Sequence, residues 1–105
     1  MQPKPELWIG LVELRPLDRA TFGAAGAFTN LITWARSSDE FRAKAETIAA
    51  ELNMFVADVE EEESVAARLK EHSVSEEIED LIERAESNPS AILYSTFHTY
   101  ERDDA

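Results

Sequence analysis

At 105 residues the chain has the length of one domain, and 44% apolar residues with only three glycines and four prolines is the composition of a folded globule, not of a disordered or fibrous chain. It contains no cysteine, which excludes disulfides, thiolate nucleophiles and cysteine-ligated zinc or iron–sulfur sites. The formal net charge of −12 is concentrated in residues 58–86, where 12 carboxylates face 3 cations for a net −9, a local field that repels nucleic acid and attracts cationic surfaces.

Residues 1–6 hold two prolines and no apolar run of signal-peptide length, and the longest uninterrupted apolar run, 7–12, is far too short to span a bilayer. The expectation is a soluble, cytoplasmic, single α+β domain over 1–105, with flexible tails at 1–6 and 101–105. Residues 7–14 are apolar on both alternating faces and end at Arg15-Pro16, so they read as a central strand. The stretch 16–26, with Asp18, Gly23 and Gly26, reads as a loop with room for one short helical turn, long enough to cover part of a sheet. Residues 27–35 are rich in β-branched and aromatic side chains and predict a second strand; the competing reading is a helix continuous with the next element.

Ser37 with Glu40 forms a capping box, and Phe41, Ala45, Ile48, Ala49 and Leu52 recur at helical spacing, predicting a helix over 38–52. A strand follows over 54–59, running into Glu60–Glu63, which reads as a solvated acidic turn. Val65, Ala66 and Leu69 mark a short amphipathic turn. Ser73 with Glu76 suggests a second capping box, and Ile78, Leu81, Ile82 and Ala85 predict a helix over 75–87, closed by Asn88-Pro89 through a left-handed cap. Residues 91–100 form the last predicted strand. Strict alternation there would place Tyr94, Thr96, His98 and Tyr100 on one face.

This order, β-β-α-β-α-β, predicts a two-layer α+β sandwich: a four-stranded mixed sheet with two helices on one face. It is similar to the ferredoxin-like build in general architecture only, because that fold orders its elements β-α-β-β-α-β. The two capped helix–strand units echo one another at an offset of 37 residues, which generic capping signals suffice to explain.

Candidate chemistry is sparse. The glutamate run with Asp58 could offer hard oxygen ligands, but it lacks the alternation and the bend glycine of a calcium loop, so no metal and no cofactor is expected. Gly23-Ala24-Ala25-Gly26 is followed by a strand-like segment and no lysine, which is not a phosphate loop. His98, between two tyrosines on the predicted face, could serve as a proton donor or acceptor, yet no serine or cysteine is placed by sequence as its nucleophile. Trp8 and Trp34 could stack bases on an open sheet, a use that the scarcity of cations opposes.

The most unusual feature is an acidic ridge on the second helix, where Glu76, Glu79, Glu83 and Glu86 recur opposite the apolar stripe; Glu76, Glu79 and Glu83, with Glu61 and Glu62 of the preceding run, are the candidate partner-binding residues. The expected function is therefore a non-enzymatic interaction protein that binds a basic protein partner, of the immunity, inhibitor or nucleic-acid-mimic kind, with no nucleic acid and no membrane as partner. The alternative is a small dimeric ligand-binding or catalytic domain using a sheet face around Trp34, Tyr94, His98 and Tyr100. Two-sided apolar strands, which one layer of helices cannot cover, predict a homodimer through the sheet face or an edge.

Overall fold

The structure, a computed structural model, describes residues 4–101; the expected tail residues 1–3 and 102–105 lie outside the described residues. In chain order the elements are β1 (Glu6–Pro16), α1 (Arg19–Phe22), β2 (Gly26–Ala35), α2 (Ser38–Glu51), β3 (Met54–Ser64), α3 (Val65–Glu71), α4 (Glu76–Glu86), β4 (Ile92–Tyr94) and β5 (His98–Tyr100). The fold is α+β. Its sheet has the order β3-β1-β2-β4, with β5 also paired to β2, and every pairing is antiparallel. The expected mixed sheet is thus corrected. Strands β2 and β3 run parallel to each other across α2, but β1 lies between them, so no parallel pair forms among the described residues.

Local signals account for the elements. Ser37 Oγ accepts from the Glu40 N–H at 3.1 Å and starts α2, which Leu52 caps before Asn53 turns the chain in the left-handed region, φ 59°. Asp18 caps the short α1, and hydrogen bonds from the Thr21 hydroxyl and backbone N–H hold its carboxyl below the ordinary range. Helix α4 is capped by Ser75, whose Oγ accepts from Ile78 N–H at 3.3 Å, so the capping box expected from Ser73 is shifted by two residues. At its other end Ser87 takes the cap with φ −91°, and the left-handed Asn88 expected there does not occur.

The apolar side chains form two clusters on opposite faces of the sheet. Phe41, Ala45 and Ala49 of α2 pack on Val12, Leu14, Leu31 and Ala35. On the other face Val65 of α3 and Ile78, Leu81 and Ala85 of α4 pack on Leu7, Ile9 and Ile32. Alternation dictates this division, since residues 7 and 9 point opposite to 12 and 14 along β1. The expectation of two helices on one face is corrected accordingly: α2 and the sheet make one sandwich, and α3 with α4 adds a partial layer behind it. The same division explains why β1 is apolar on both sides without a second copy.

Two further departures matter for the surface. Strand β3 continues through the glutamate run to Ser64, with register shifts against β1 between Ile9 and Leu11 and between Glu13 and Leu14. Glu61 sits at the first of these irregularities with φ 57°. The predicted last strand is broken at Ser95-Thr96-Phe97. Leu31 pairs with Tyr94 and Phe28 with His98, so the two residues of β2 between these pairs are matched by three of the partner. Ser95 bridges the break: its Oγ accepts from Asn30 N–H at 3.0 Å while its own N–H donates to Asn30 O at 2.9 Å.

Candidate interaction surface

The extra residue at the break reverses the parity of the last strand. Tyr94 therefore joins the α2 face, with its ring centroid 5.3 Å from that of Phe97, whereas His98 and Tyr100 lie on the opposite face. Trp34 is on that opposite face too, but at the far end of the sheet under α4, where its indole N–H donates to Ala85 O at 2.9 Å and Asn88 O at 3.0 Å. The four residues of the alternative ligand face are thus not brought together. Only His98 and Tyr100 are neighbours, and the tyrosine hydroxyl donates to the Glu13 carboxylate; burial, aided by that bond, raises the phenol above its ordinary 10.0.

The acidic residues fare differently. Three neighbouring depressions run around α3 and α4. The first, about 520 Å³, is lined by Glu61, Glu62 and Glu63 with Arg68, His72 and Val74. The second, about 200 Å³, shares Val74 and is lined by Leu69, Ile82, Glu79 and Glu83. The third, about 310 Å³, shares Leu69 and Ile82 and is lined by Trp34, Ala66, Glu6 and Glu86. Four of the five residues singled out from sequence, Glu61, Glu62, Glu79 and Glu83, therefore border one run of depressions. Glu76 is exposed in the first turn of α4 and lines none of the three.

The carboxylates of this region divide by what they already hold. Glu63 pairs with Arg68, Asp80 with Arg84 at 2.9 Å, Glu62 accepts from Ser38 Oγ at 2.8 Å, and Glu77 accepts from Thr96 Oγ1 at 2.6 Å. Glu79, Glu83 and Glu86 have no ion-pair or hydrogen-bond partner among the described residues. Between them the groove floor is apolar: Leu69 is 50% exposed, and Val74 and Ile82 are half-buried. No lysine or arginine lines the second or third depression among the described residues.

Further along the α3–α4 side the sheet is uncovered. His98, Phe28, Glu13 and Asp58 stand in one row across β5, β2, β1 and β3, and Asn30, Leu11 and Glu60 in the next. Sequence reasoning missed this patch, because its members come from four strands whose order was not legible. Asp58 and Glu60 lie on one face of β3, and hydrogen bonding to Asp58 together with the charge of Asp58 raises the Glu60 carboxyl above its ordinary 4.5. Among the described residues no three histidine, aspartate or glutamate side chains gather into a metal site, and no helix is long and apolar enough to cross a membrane.

No protein-family model, curated protein or solved structure matches this chain. The fold class and the geometry of these surfaces are therefore what bear on its function.

Proposed function

We propose that the protein is a non-enzymatic interaction module that binds a basic protein partner, docking a cationic amphipathic segment in the groove between α3 and α4. The observation that carries this reading is the groove itself. An apolar floor of Leu69, Val74 and Ile82 is rimmed by Glu79, Glu83 and Glu86, carboxylates with no internal partner among the described residues. A helix laid in such a groove buries apolar anchors at a spacing of three and four residues, and lysine or arginine beside those anchors meets the rim. Opposed charge at the rim steers encounter and selects partners more than it adds affinity.

The alternative of a ligand-binding or catalytic domain draws less support, because Trp34 and Tyr94 are separated from His98 and Tyr100. Self-association is the other occupant of the same surface. Like charge opposes it, since an isologous contact would bring Glu79, Glu83 and Glu86 against their own copies.

The test uses a synthetic peptide with leucines at helical spacing and lysines between them, and a glutamine-substituted peptide of the same pattern as the neutral control. Trp34 lines the groove and reports binding by its fluorescence. Replacing Glu79, Glu83 and Glu86 together by glutamine should slow association of the basic peptide by about tenfold at low salt. The difference should shrink as salt shortens the screening length to about 3 Å at 1 M. Equal association by both versions at low salt would reduce the rim to a solubilising surface and overturn the proposal. Sedimentation of the free protein would reveal the second copy as occupant.

A further inference from the structure

The sheet face carrying α3 and α4 is covered over only half its length. At the covered end Leu7, Ile9 and Ile32 are buried under the helices, while at the other end Leu11, Phe28 and Tyr100 remain half-buried with nothing packed above them among the described residues. The step between the two halves is the start of α4, where Glu77 accepts from Thr96 N–H at 3.1 Å and from its hydroxyl. The uncovered floor is apolar and aromatic. Phe28 and Tyr100 lie with ring centroids 5.5 Å apart, and Leu11 fills the row beside them.

Charge at this floor is unbalanced in one place. Glu13 accepts from Arg15 at 3.3 Å and from Tyr100, so its charge is answered within the fold. Asp58 and Glu60 have no cationic partner among the described residues: both stand on the same face of β3, across from Glu13 and Leu11, and Asp58 raises the Glu60 carboxyl above its ordinary range. Like charges side by side on one face repel, and a cation placed between them relieves the repulsion. A planar guanidinium can meet two adjacent carboxylates with parallel N–H donors and rest its plane or stem on neighbouring apolar and aromatic groups, which an ammonium cannot do.

Size decides against a second copy as the occupant. The uncovered part spans about five residues of β1 and four strand positions, roughly 13 Å by 14 Å at ordinary strand spacings. That is about 200 Å², against the ~800 Å² per partner of a stable protein interface. It suits one or two side chains of an extended segment.

We infer that the uncovered half of the sheet is a second docking surface, which takes an arginine of a basic partner protein between Asp58 and Glu60 with its stem on Leu11 and the adjoining segment on Phe28. The inference rests on the reading of a basic protein partner and adds the place and the residue type it recognises. The groove along α3 and α4 opens on the same side of the sheet, so one partner can reach both.

Hexa-arginine and hexa-lysine peptides, titrated into isotopically labelled protein and followed by backbone and side-chain carboxyl chemical shifts, test it. The expected result is a set of shifts at Leu11, Phe28, Asp58 and Glu60, with the arginine peptide bound several-fold more tightly than the lysine peptide. Binding at this patch should fall about tenfold in the D58N/E60Q variant. It should be unchanged in E46Q/E51Q, which removes the same charge from exposed positions of α2 on the opposite face. The Glu60 carboxyl should also titrate at lower pH with the arginine peptide present. Shifts confined to α3 and α4 would overturn this inference and leave the groove standing, whereas salt-dependent shifts nowhere on the protein would overturn both. Equal response to the two peptides, or equal binding by D58N/E60Q and by the parent chain, would also sink it.

Discussion

Replacing Gly10 by alanine probes how closely α2 approaches the sheet. A Cβ at that position would lie 2.9 Å from two ring carbons of Phe41 and 3.0 Å from Cβ of Glu62. Carbon atoms rest at about 3.5–4.0 Å, so at least half an ångström must be found in two directions. Phe41 cannot supply it by swinging outward, because it is 0% exposed and held beside Trp8, with ring centroids 6.4 Å apart. Glu62 is fixed by its place in β3 and by the bond from Ser38. Overpacking of this kind costs about 1–3 kcal/mol. Against it stands a gain of about 0.4–1 kcal/mol from the stiffer unfolded chain, available because Gly10 does not have a positive φ. The net expectation is a loss of about 1–2 kcal/mol, which for a chain of this length lowers Tm by roughly 5–15 °C. Urea and thermal unfolding followed by circular dichroism would measure it. The same change in a Phe41→Leu background should cost clearly less, since the smaller side chain yields the space. A Gly10→Ala protein as stable as the parent would mean that α2 does not seat its phenylalanine on β1, and the assignment of α2 to that face would fall with it.

The two tryptophans should part company when each is replaced by phenylalanine. Trp34→Phe strips the donor that two carbonyls at the end of α4 share and should cost about 1–3 kcal/mol, whereas Trp8→Phe removes a buried indole N–H with no partner among the described residues and should stay within about 1 kcal/mol. A larger loss for Trp8 in urea unfolding would contradict this. For Glu60 the sign of the pH dependence is the test. Its carboxyl is raised above 4.5 by Asp58, so the folded chain holds that proton more tightly than the unfolded one. The associated stability is complete below the unfolded value and is lost as pH rises through the raised folded value. Glu60→Gln mimics the protonated form and should gain stability relative to the parent at about pH 7 but not at about pH 4, read from the urea midpoints; a gain of equal size at both would refute the sharing of a proton.

Much of the fold was legible because local and global signals agree. Ser37 and the stripe from Phe41 to Leu52 place α2, and the β-branched run of 27–35 is strand β2, not a helix continuous with it. What stayed hidden was set by partners distant in sequence. Nothing in 91–100 announces that Ser95 will use its side chain as a ladder acceptor, yet that one insertion moves Tyr94 to the other face and dissolves the constellation that alternation suggests. The glutamates of 60–63 are poor strand formers, and only their place on a sheet edge beside β1 draws them into β3. The signal for helices on both faces was present in β1 itself. Leu7 and Ile9 on one side and Val12 and Leu14 on the other require two covers, and the second cover is α3 with α4, from the same chain.

The edge position of β3 also separates the acidic residues by what each can be explained by. An eleven-residue edge strand is a template for unwanted pairing, and charge with irregular register blunts it. Asp58 and Glu60 to Glu63 have that duty whether or not a partner exists. In α4 the first-turn acids Glu76, Glu77 and Glu79 are favoured by the partial positive charge at a helix start. Glu83 and Glu86 have neither excuse. They stand in the last turn, where that field is reversed, Arg84 is already engaged by Asp80, and Glu83 lies one helical turn from Glu79, a like-charge contact worth a few tenths of a kcal/mol against the helix. Helix design for stability alone would place lysine or arginine there, and both residues border the apolar groove. Glu83 and Glu86 thus stand where charge works against their own helix while bordering the apolar groove, and that combination supports a cationic partner there.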